Sequence, residues 1–247
     1  MQAIVILGMH RSGTSCLTGC LQQLGLHLGD VSDFNEYNLK GNKEDDSIAR
    51  LNEKILNHND GSWRSPPREN NWTLEHEDIR NTILKNYSKL PSPIGFKDPR
   101  MIFTLPFWQQ VLPNIKLLGS FRHPLNVAQS LYARKNIRIE INQGLKLWST
   151  YNLKLLSLQK QYGFDLVNFD QEPSEYLSQV FRKATKLNLE KSIDSLDFFD
   201  DTLRNQNTSI SESKKCPDEV LNIYNELLNI SKDLTITPIN IGSSIKS

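Results

Sequence analysis

Cysteine is scarce in this 247-residue chain. Cys16, Cys20 and Cys216 are the whole complement, and none stands in a Cys-x-x-Cys spacing. A disulfide framework is therefore excluded, and a reducing cytosol is the expected compartment. Charge of one sign is equally absent: 29 Lys and Arg against 28 Asp and Glu leave a formal +1. No global basic field is available to hold a nucleic acid or an anionic membrane, so any anion must be bound by a local site. Long apolar runs are missing too. Ala3-Ile-Val-Ile-Leu7 is too short for a signal segment and has no basic stretch before it, and nothing later approaches the roughly 18 apolar residues of a membrane span. The expectation is a soluble, cytoplasmic protein without nucleic acid or integral membrane partners. The histidines are too dispersed to suggest a metal site, and Cys16 and Cys20, four apart on one helix, read as core packing.

With 38% hydrophobic and 23% charged residues, the chain has the composition of an ordinary globular protein. Its length suits one large domain, here residues 1–247, with the Ser-rich end from about residue 236 expected to be loose. The patterning alternates between two periods. Short β-branched or apolar runs at Ile4–Leu7, Pro93–Lys97, Lys116–Phe121 and Asp165–Phe169 predict buried strands. Helical spacing predicts helices over Cys16–Leu26, Lys43–Asn57, Leu74–Tyr87, Leu125–Arg134, Asn142–Tyr162, Ser174–Leu187 and Asp218–Leu228, with a further helical piece around Phe107–Leu112. Such alternation argues for an α/β fold: a P-loop-like three-layer sandwich with a mostly parallel central sheet flanked by helices. Ligands of such sheets sit beyond the carboxyl ends of the strands. That rule places Gly8–Ser15, Lys97–Arg100 and Arg122 on one rim.

The glycine loop is the strongest local signal. Gly8-x4-Gly13-Thr14-Ser15 keeps the glycine spacing of a phosphate-binding loop, whose amides and following helix N-terminus form an anion site. Thr14 stands where a Walker loop carries its lysine, which removes the central charge of nucleotide γ-phosphate chemistry, while Arg11 supplies a cation two residues before Gly13. Asn42-Lys43-Glu44-Asp45 matches a guanine-reading pattern, but it comes too early in the chain for that use. Lys43 to Asp46 reads instead as the first turn of a helix, with acids at the positive end of its dipole. Gly95-Phe-Lys-Asp-Pro-Arg100 ends a strand in two cations and a carboxylate. In Arg122-His-Pro-Leu-Asn-Val-Ala-Gln-Ser130, an arginine at a strand end and a serine beyond a helix-starting proline can converge on one oxyanion.

Together, Gly8-Met-His-Arg-Ser-Gly-Thr-Ser15, Asn38-Leu-Lys-Gly-Asn-Lys-Glu44, Lys97-Asp-Pro-Arg100, Arg122-His-Pro with Ser130, and Trp148-x-x-Tyr151 resemble the sulfotransferases that use 3'-phosphoadenosine-5'-phosphosulfate. The likeness runs from residue 4 to about residue 190, nearest to bacterial-type members with the GMHRSGTS loop. It implies that Arg11, Ser12, Gly13, Thr14 and Ser15, with His10 in the same loop, hold the 5'-phosphosulfate, and that Arg122 and Ser130 hold the 3'-phosphate. It also implies Lys97 near the bridging oxygen and Phe169 near adenine. Two features depart from the cytosolic enzymes: Pro99 replaces their catalytic histidine, and their C-terminal Arg-Lys-Gly motif is missing unless Lys214-Lys215 or Arg204 replaces it. The base implied by the resemblance is a glutamate, Glu44 first and Glu36 second, with His10 and Asp98 as further candidates.

The reaction so implied moves a sulfuryl group to an acceptor hydroxyl by in-line transfer, without metal, and releases adenosine 3',5'-bisphosphate. Arg11 and Lys97 would stabilise the leaving oxygen. The acceptor is a carbohydrate, lipid or small alcohol, and the loops 28–41, 58–72 and 137–143, with Phe34, Tyr37, Trp63 and Trp72, are its candidate contacts. Two other readings stand beside this one: a P-loop nucleotide kinase with an altered loop, and a non-catalytic nucleotide-binding interaction module. Oligomeric state is not written in these patterns.

Overall fold

Five apolar residues, Ala3–Leu7, form the strand β1 and are buried on both faces. Their alternation divides the core. Ile4 and Ile6 point into one apolar cluster, while Ala3, Val5 and Leu7 point into the other. The computed structural model describes residues 2–34, 36, 38–135, 137–189, 191, 196–204 and 216–232. Tyr37, Lys214, Lys215 and the stretch from residue 236 lie outside that set. Three further strands, β2 (Ile94–Lys97), β3 (Ile115–Phe121) and β4 (Asp165–Asn168), complete a four-stranded sheet in the order β2-β1-β3-β4. Every pairing is parallel, and the register sets Ile6 beside Lys97, Leu7 beside Gly119 and Phe121 beside Asn168.

Helices cover both faces. On the Ile4 face pack α1 (Thr14–Gln23) and α7 (Pro173–Lys186) through Leu17, Leu21, Tyr176 and Val180. The opposite layer comprises α2 (Asp46–His58), α3 (Leu74–Tyr87), α4 (Met101–Gln109), α5 (Pro124–Tyr132), α6 (Ile141–Tyr162) and α8 (Asp218–Ser231). The three-layer α/β arrangement expected from the alternating periods is therefore the observed one. From β1 the chain passes to β2 on one side and returns to β3 on the other. The crevice between the carboxyl ends of β1 and β3 is thus the switch point at which parallel sheets bind ligands.

Two local expectations need correcting. The helix expected from Lys43 begins at Asp46, because Asp45 is its N-cap and accepts from the amides of Ser47 (2.8 Å) and Ile48 (3.4 Å). Lys43 lies before it in a left-handed conformation, φ 55°, with its amine on Asp33. Of the four charged residues read as a first turn, only Asp46 is in one. The piece expected around Phe107–Leu112 is α4, and it starts at Met101. Its residues are apolar almost all round and seven of its nine are buried, so no helical stripe marks it, and Pro106 sits inside it as a false break.

Candidate active site

The three strand ends open on one cleft of about 500 Å³. Its floor is the loop after β1. The close approach of β3 demands glycine at position 8, since a Cβ there would meet the Ser120 carbonyl oxygen at 2.3 Å. Gly13 has φ 79° and would press a Cβ to 2.3 Å from the Phe169 ring. With glycines at both ends the loop folds back so that α1 starts at Thr14, presenting its first amides, which have no partner within the helix, toward the cleft. Ser120 Oγ donates to the Ser12 carbonyl at 2.6 Å and fixes the loop to β3.

Arg11, Gly13, Thr14 and Ser15 line the cleft, whereas Ser12 is buried behind the loop, with its hydroxyl unpartnered. Arg11 is held at φ 69°, and its Nε donates to Ser130 Oγ at 2.8 Å. Its neighbours are cations. Burial first, then Arg134 and Arg122, lower the Arg11 pKa to about 10, so it remains charged at neutral pH while surrounded by positive potential. Arg122 leaves the end of β3 and gives its Nε to Asp170 at 3.1 Å, with its guanidinium 5.3 Å from the centre of the Phe169 ring. Asp170 also accepts from the His123 amide at 2.5 Å and Asn126 Nδ2 at 2.8 Å. Burial draws the Arg122 pKa down and Asp170 opposes it.

Lys97, at the end of β2, is almost wholly buried. Its amine contacts Glu44 Oε1 at 2.5 Å, the Asn42 carbonyl at 3.0 Å and Ser15 Oγ at 3.2 Å. Glu44 is half-buried and lines the cleft, and Glu36 lies exposed on its wall. Asp98 stands elsewhere. Its side chain is fully buried and committed to Arg100 Nη1 (2.8 Å) and Asn52 Nδ2 (2.8 Å), a structural station that leaves it no access to an acceptor. Pro99, not a histidine, faces the cleft beside it. Burial pulls Arg100 down, but Asp98 and Glu53 outweigh that effect and its pKa lies above the ordinary value.

His10 also reaches the cleft, with its ring centre 4.6 Å from that of Trp63 and 6.1 Å from that of Tyr151. Its pKa is held well below the usual histidine value, first by burial and then by Arg100, Lys97, Arg134 and Arg11. The ring is neutral at physiological pH, and its Nε2 has no partner. The Trp148-x-x-Tyr151 pair braces the rim from behind: Trp148 Nε1 donates to the Arg122 carbonyl at 3.0 Å, and the Tyr151 hydroxyl to the Trp63 carbonyl at 2.9 Å.

Three groups on or beside the wall were not singled out by the sequence for these positions. Arg134 faces Arg11 from beyond α5. Asp170 orients Arg122; its place directly after the β4 strand end was the signal. Arg204, named only as a stand-in for a missing motif, has its guanidinium 4.8 Å from the centre of the Phe169 ring and 4.9 Å from that of Phe199. Its side chain is 8% exposed, Nη1 donates to the Gln171 carbonyl at 2.7 Å, and Nε and Nη2 are buried without a hydrogen-bond acceptor, although Asp201 Oδ1 lies 3.3 Å from Nε. Among the described residues, seven cationic side chains line the cleft against three carboxylates. Such a wall is complementary to a ligand carrying several negative charges. Among the described residues, no group of three or more His, Cys, Asp or Glu could hold a metal ion, and no helix is long and apolar enough to cross a membrane.

Comparison with known proteins gives one finding. The family model described as the sulfotransferase family matches residues 3–165, which span β1 to the start of β4 and every residue discussed above on or beside the cleft except Phe169, Asp170, Gln171, Phe199, Asp201 and Arg204. No curated protein matches the chain.

Proposed function

The chain belongs to the sulfotransferase family, and from that premise we propose that its sulfuryl donor is 3'-phosphoadenosine-5'-phosphosulfate and its acceptor a hydroxyl of a carbohydrate, lipid or small alcohol. The observation that carries this reading is the contact of Arg11 Nε with Ser130 Oγ at 2.8 Å. It links the loop after β1 to the helix after β3, and with Arg122 on the same wall it joins the two segments to which the family likeness gives the donor's two phosphate ends. The residues fit such a ligand. Orphaned donors on Arg204 and an excess of cations suit a molecule with a phosphate at each end of an adenosine.

In this reading Arg11 and the amides from Gly13 to Ser15 take the 5' end, with Ser12 supporting the loop from behind. Arg122 and Ser130 take the 3'-phosphate, and Phe169, with Arg204 above it, takes the adenine. The donor supplies a sulfuryl group already activated on a phosphate oxygen. Glu44 accepts the proton of the acceptor hydroxyl at its carboxylate, with Glu36 as the second candidate. Lys97 and Arg11 offer fixed positive charge where the leaving oxygen becomes negative. In-line geometry is then a matter of positioning, as in phosphoryl transfer. The half-buried Trp63 and the exposed Glu36 mark the side from which the acceptor enters. The whole of 1–247 is read as one domain, supported by α8, whose Val220 and Leu227 join the same core cluster as β1. Three free cysteines are in keeping with a cytoplasmic setting.

The test is ligand protection followed by transfer. Adenosine 3',5'-bisphosphate without metal should raise the melting temperature, by about 2.7 kcal/mol of linkage at a hundred times Kd. ATP with magnesium should do so only weakly. Labelled donor should pass its sulfur to members of a glycan, lipid and alcohol panel. Protection by ATP-magnesium alone would favour a kinase, and bisphosphate binding with no transfer to any acceptor would favour a binding module.

A further inference from the structure

Lys40 lines the cleft but has no part in the transfer derived above. It stands on the tight turn 38–44. The Gly41 amide donates to the Asn38 carbonyl at 2.8 Å, and Gly41 sits at φ 77°, where a Cβ would come within 2.0 Å of the Ser32 carbonyl oxygen. Two residues beyond Lys40, the Asn42 carbonyl accepts from Ser15 Oγ at 2.9 Å and from the Lys97 amine at 3.0 Å. Glu44 then pairs with that same amine. One short, stiff piece of chain therefore carries Lys40 at one end and the partners of Lys97 at the other.

The amine of Lys40 is engaged on a different part of the molecule. It donates to the carbonyls of Asp197 at 2.9 Å and Phe198 at 2.8 Å, while the Asp200 carboxylate stays 4.0 Å away. Two charge-assisted hydrogen bonds to main-chain oxygens fix the position of a backbone, which a loose ion pair on a mobile carboxylate does not. The backbone so held, 196–204, is seated on α1 and α7. The Phe198 ring lies over Gly19, where a Cβ would meet it at 2.2 Å, and the Phe198 amide donates to Gln23 Oε1 at 2.9 Å. Phe199 stacks on Tyr176 with ring centres 5.2 Å apart, and the segment ends at Arg204 above Phe169. Lys43 also approaches the Phe198 ring, at 5.1 Å from its centre, but its amine is bound to Asp33. Hydrogen bonds through Lys40 thus run from the segment that carries Arg204 to the turn that carries Asn42 and Glu44.

We propose that Lys40 is a positioning residue, through which a ligand seated on Phe169 and Arg204 holds Glu44 and Lys97 in register for transfer. A nucleoside at that end restrains 196–204. The two hydrogen bonds of Lys40 pass the restraint to 38–44, and binding energy gained far from the reacting sulfur is spent on orientation beside it. By linkage, an ordered turn must in turn favour the ligand. The catalytic half of this proposal rests on the reading of the cleft as a donor site; the tie between the two segments does not.

The experiment follows hydrogen exchange in the full-length protein by peptide mass spectrometry, comparing wild type, Lys40→Met and Lys40→Arg. Without ligand, Lys40→Met should exchange several-fold faster over both 38–44 and 196–204. Lys40→Arg, which keeps N–H donors on a long stem, should return both toward the wild type. Faster exchange in one segment alone, or in neither, overturns the tie. Adenosine 3'-monophosphate, which has no 5'-phosphate to set beside Lys97, should slow exchange of both segments in the wild type but only of 196–204 in Lys40→Met. Protection of 38–44 that persists in Lys40→Met, or that is missing from a wild type protected over 196–204, overturns the coupling. In turnover, Lys40→Met should lower kcat by about tenfold or more, with the acceptor KM and the calorimetric affinity for adenosine 3',5'-bisphosphate little changed. An unchanged kcat, with or without a loss of bisphosphate affinity, overturns the positioning role. If neither nucleotide protects the wild type anywhere, the donor reading fails, and the ligand-free exchange rates still decide whether Lys40 ties the two segments.

Discussion

The amine of Lys97 and the carboxylate of Glu44 form an ion pair at 2.5 Å, in which the lysine is 3% and the glutamate 17% exposed. The other two hydrogens of that amine are directed at the Asn42 carbonyl and Ser15 Oγ. A lysine with all three donors engaged cannot drift, so its charge is fixed beside the loop. To reach a leaving oxygen it must exchange one partner, and the long 3.2 Å contact to Ser15 is the weakest of the three.

Lys97→Ala is expected to lower turnover by about a hundredfold or more, the scale of losing one oxyanion donor. Glu44→Gln should lower transfer on a similar scale while leaving the calorimetric affinity for adenosine 3',5'-bisphosphate nearly unchanged. A Glu44→Gln enzyme with full turnover would pass the proton-accepting role to Glu36, which Glu36→Gln measures directly.

Arg11 and Ser130 touch, so their losses should not add. In a double-mutant cycle on bisphosphate affinity, Arg11→Ala and Ser130→Ala should show a coupling of about 0.5–3 kcal/mol, the range for residues in direct contact. A coupling indistinguishable from zero would mean that the two side chains serve separate ligands or none.

Phe169 is packed between the loop and Arg204. Gly13→Ala adds a methyl where the Phe169 ring already stands and forces a side chain into a left-handed backbone. A loss of roughly 1–2 kcal/mol of stability is expected from the backbone alone, visible in urea unfolding, together with weakened bisphosphate binding. Arg204→Ala should weaken that binding at least tenfold and flatten its salt dependence. Unchanged affinity in the Arg204 variant would leave its orphaned donors to another ligand.

The first strand and the loop that follows it were legible because both signals are local. An unbroken apolar run must be buried on both sides, and glycines mark where backbone passes too close for a Cβ. Arg122 and Ser130 were legible for a related reason, since a strand end and a proline-started helix fix their spacing. Arg204 was only glimpsed, because its place over Phe169 depends on residues 196–204 packing against α1 and α7, a long-range outcome with no local mark. Helix α4 hid its start because residues buried all round carry no stripe. The capping role of Asp45 hid behind a run of charges that resembles a first turn.

The pH dependence of stability tests the cation cluster as a whole. Packed around His10 are Arg11 from its own loop, Lys97 and Arg100 from the end of β2 and the turn after it, Arg134 from beyond α5, and the neutral Tyr151 of α6. Burial leads, and the four positive charges add to it, so the folded-state pKa lies well below the unfolded value near 6.5. Between those two values the unfolded chain holds a proton on this ring and the folded chain does not. Stability therefore rises with pH across that window and is lost as pH falls below about 6.5, by at most about 1.4 kcal/mol per pH unit from this one group. His76 and His123, also lowered by burial, act in the same direction, so the readout is a difference in slopes. Unfolding free energies of the wild type and His10→Gln, measured by urea at several values between pH 7.5 and 5.5, should converge as the solution becomes more acidic. If the variant loses stability as steeply as the wild type, the imidazole is not being kept neutral by burial and its cationic neighbours together.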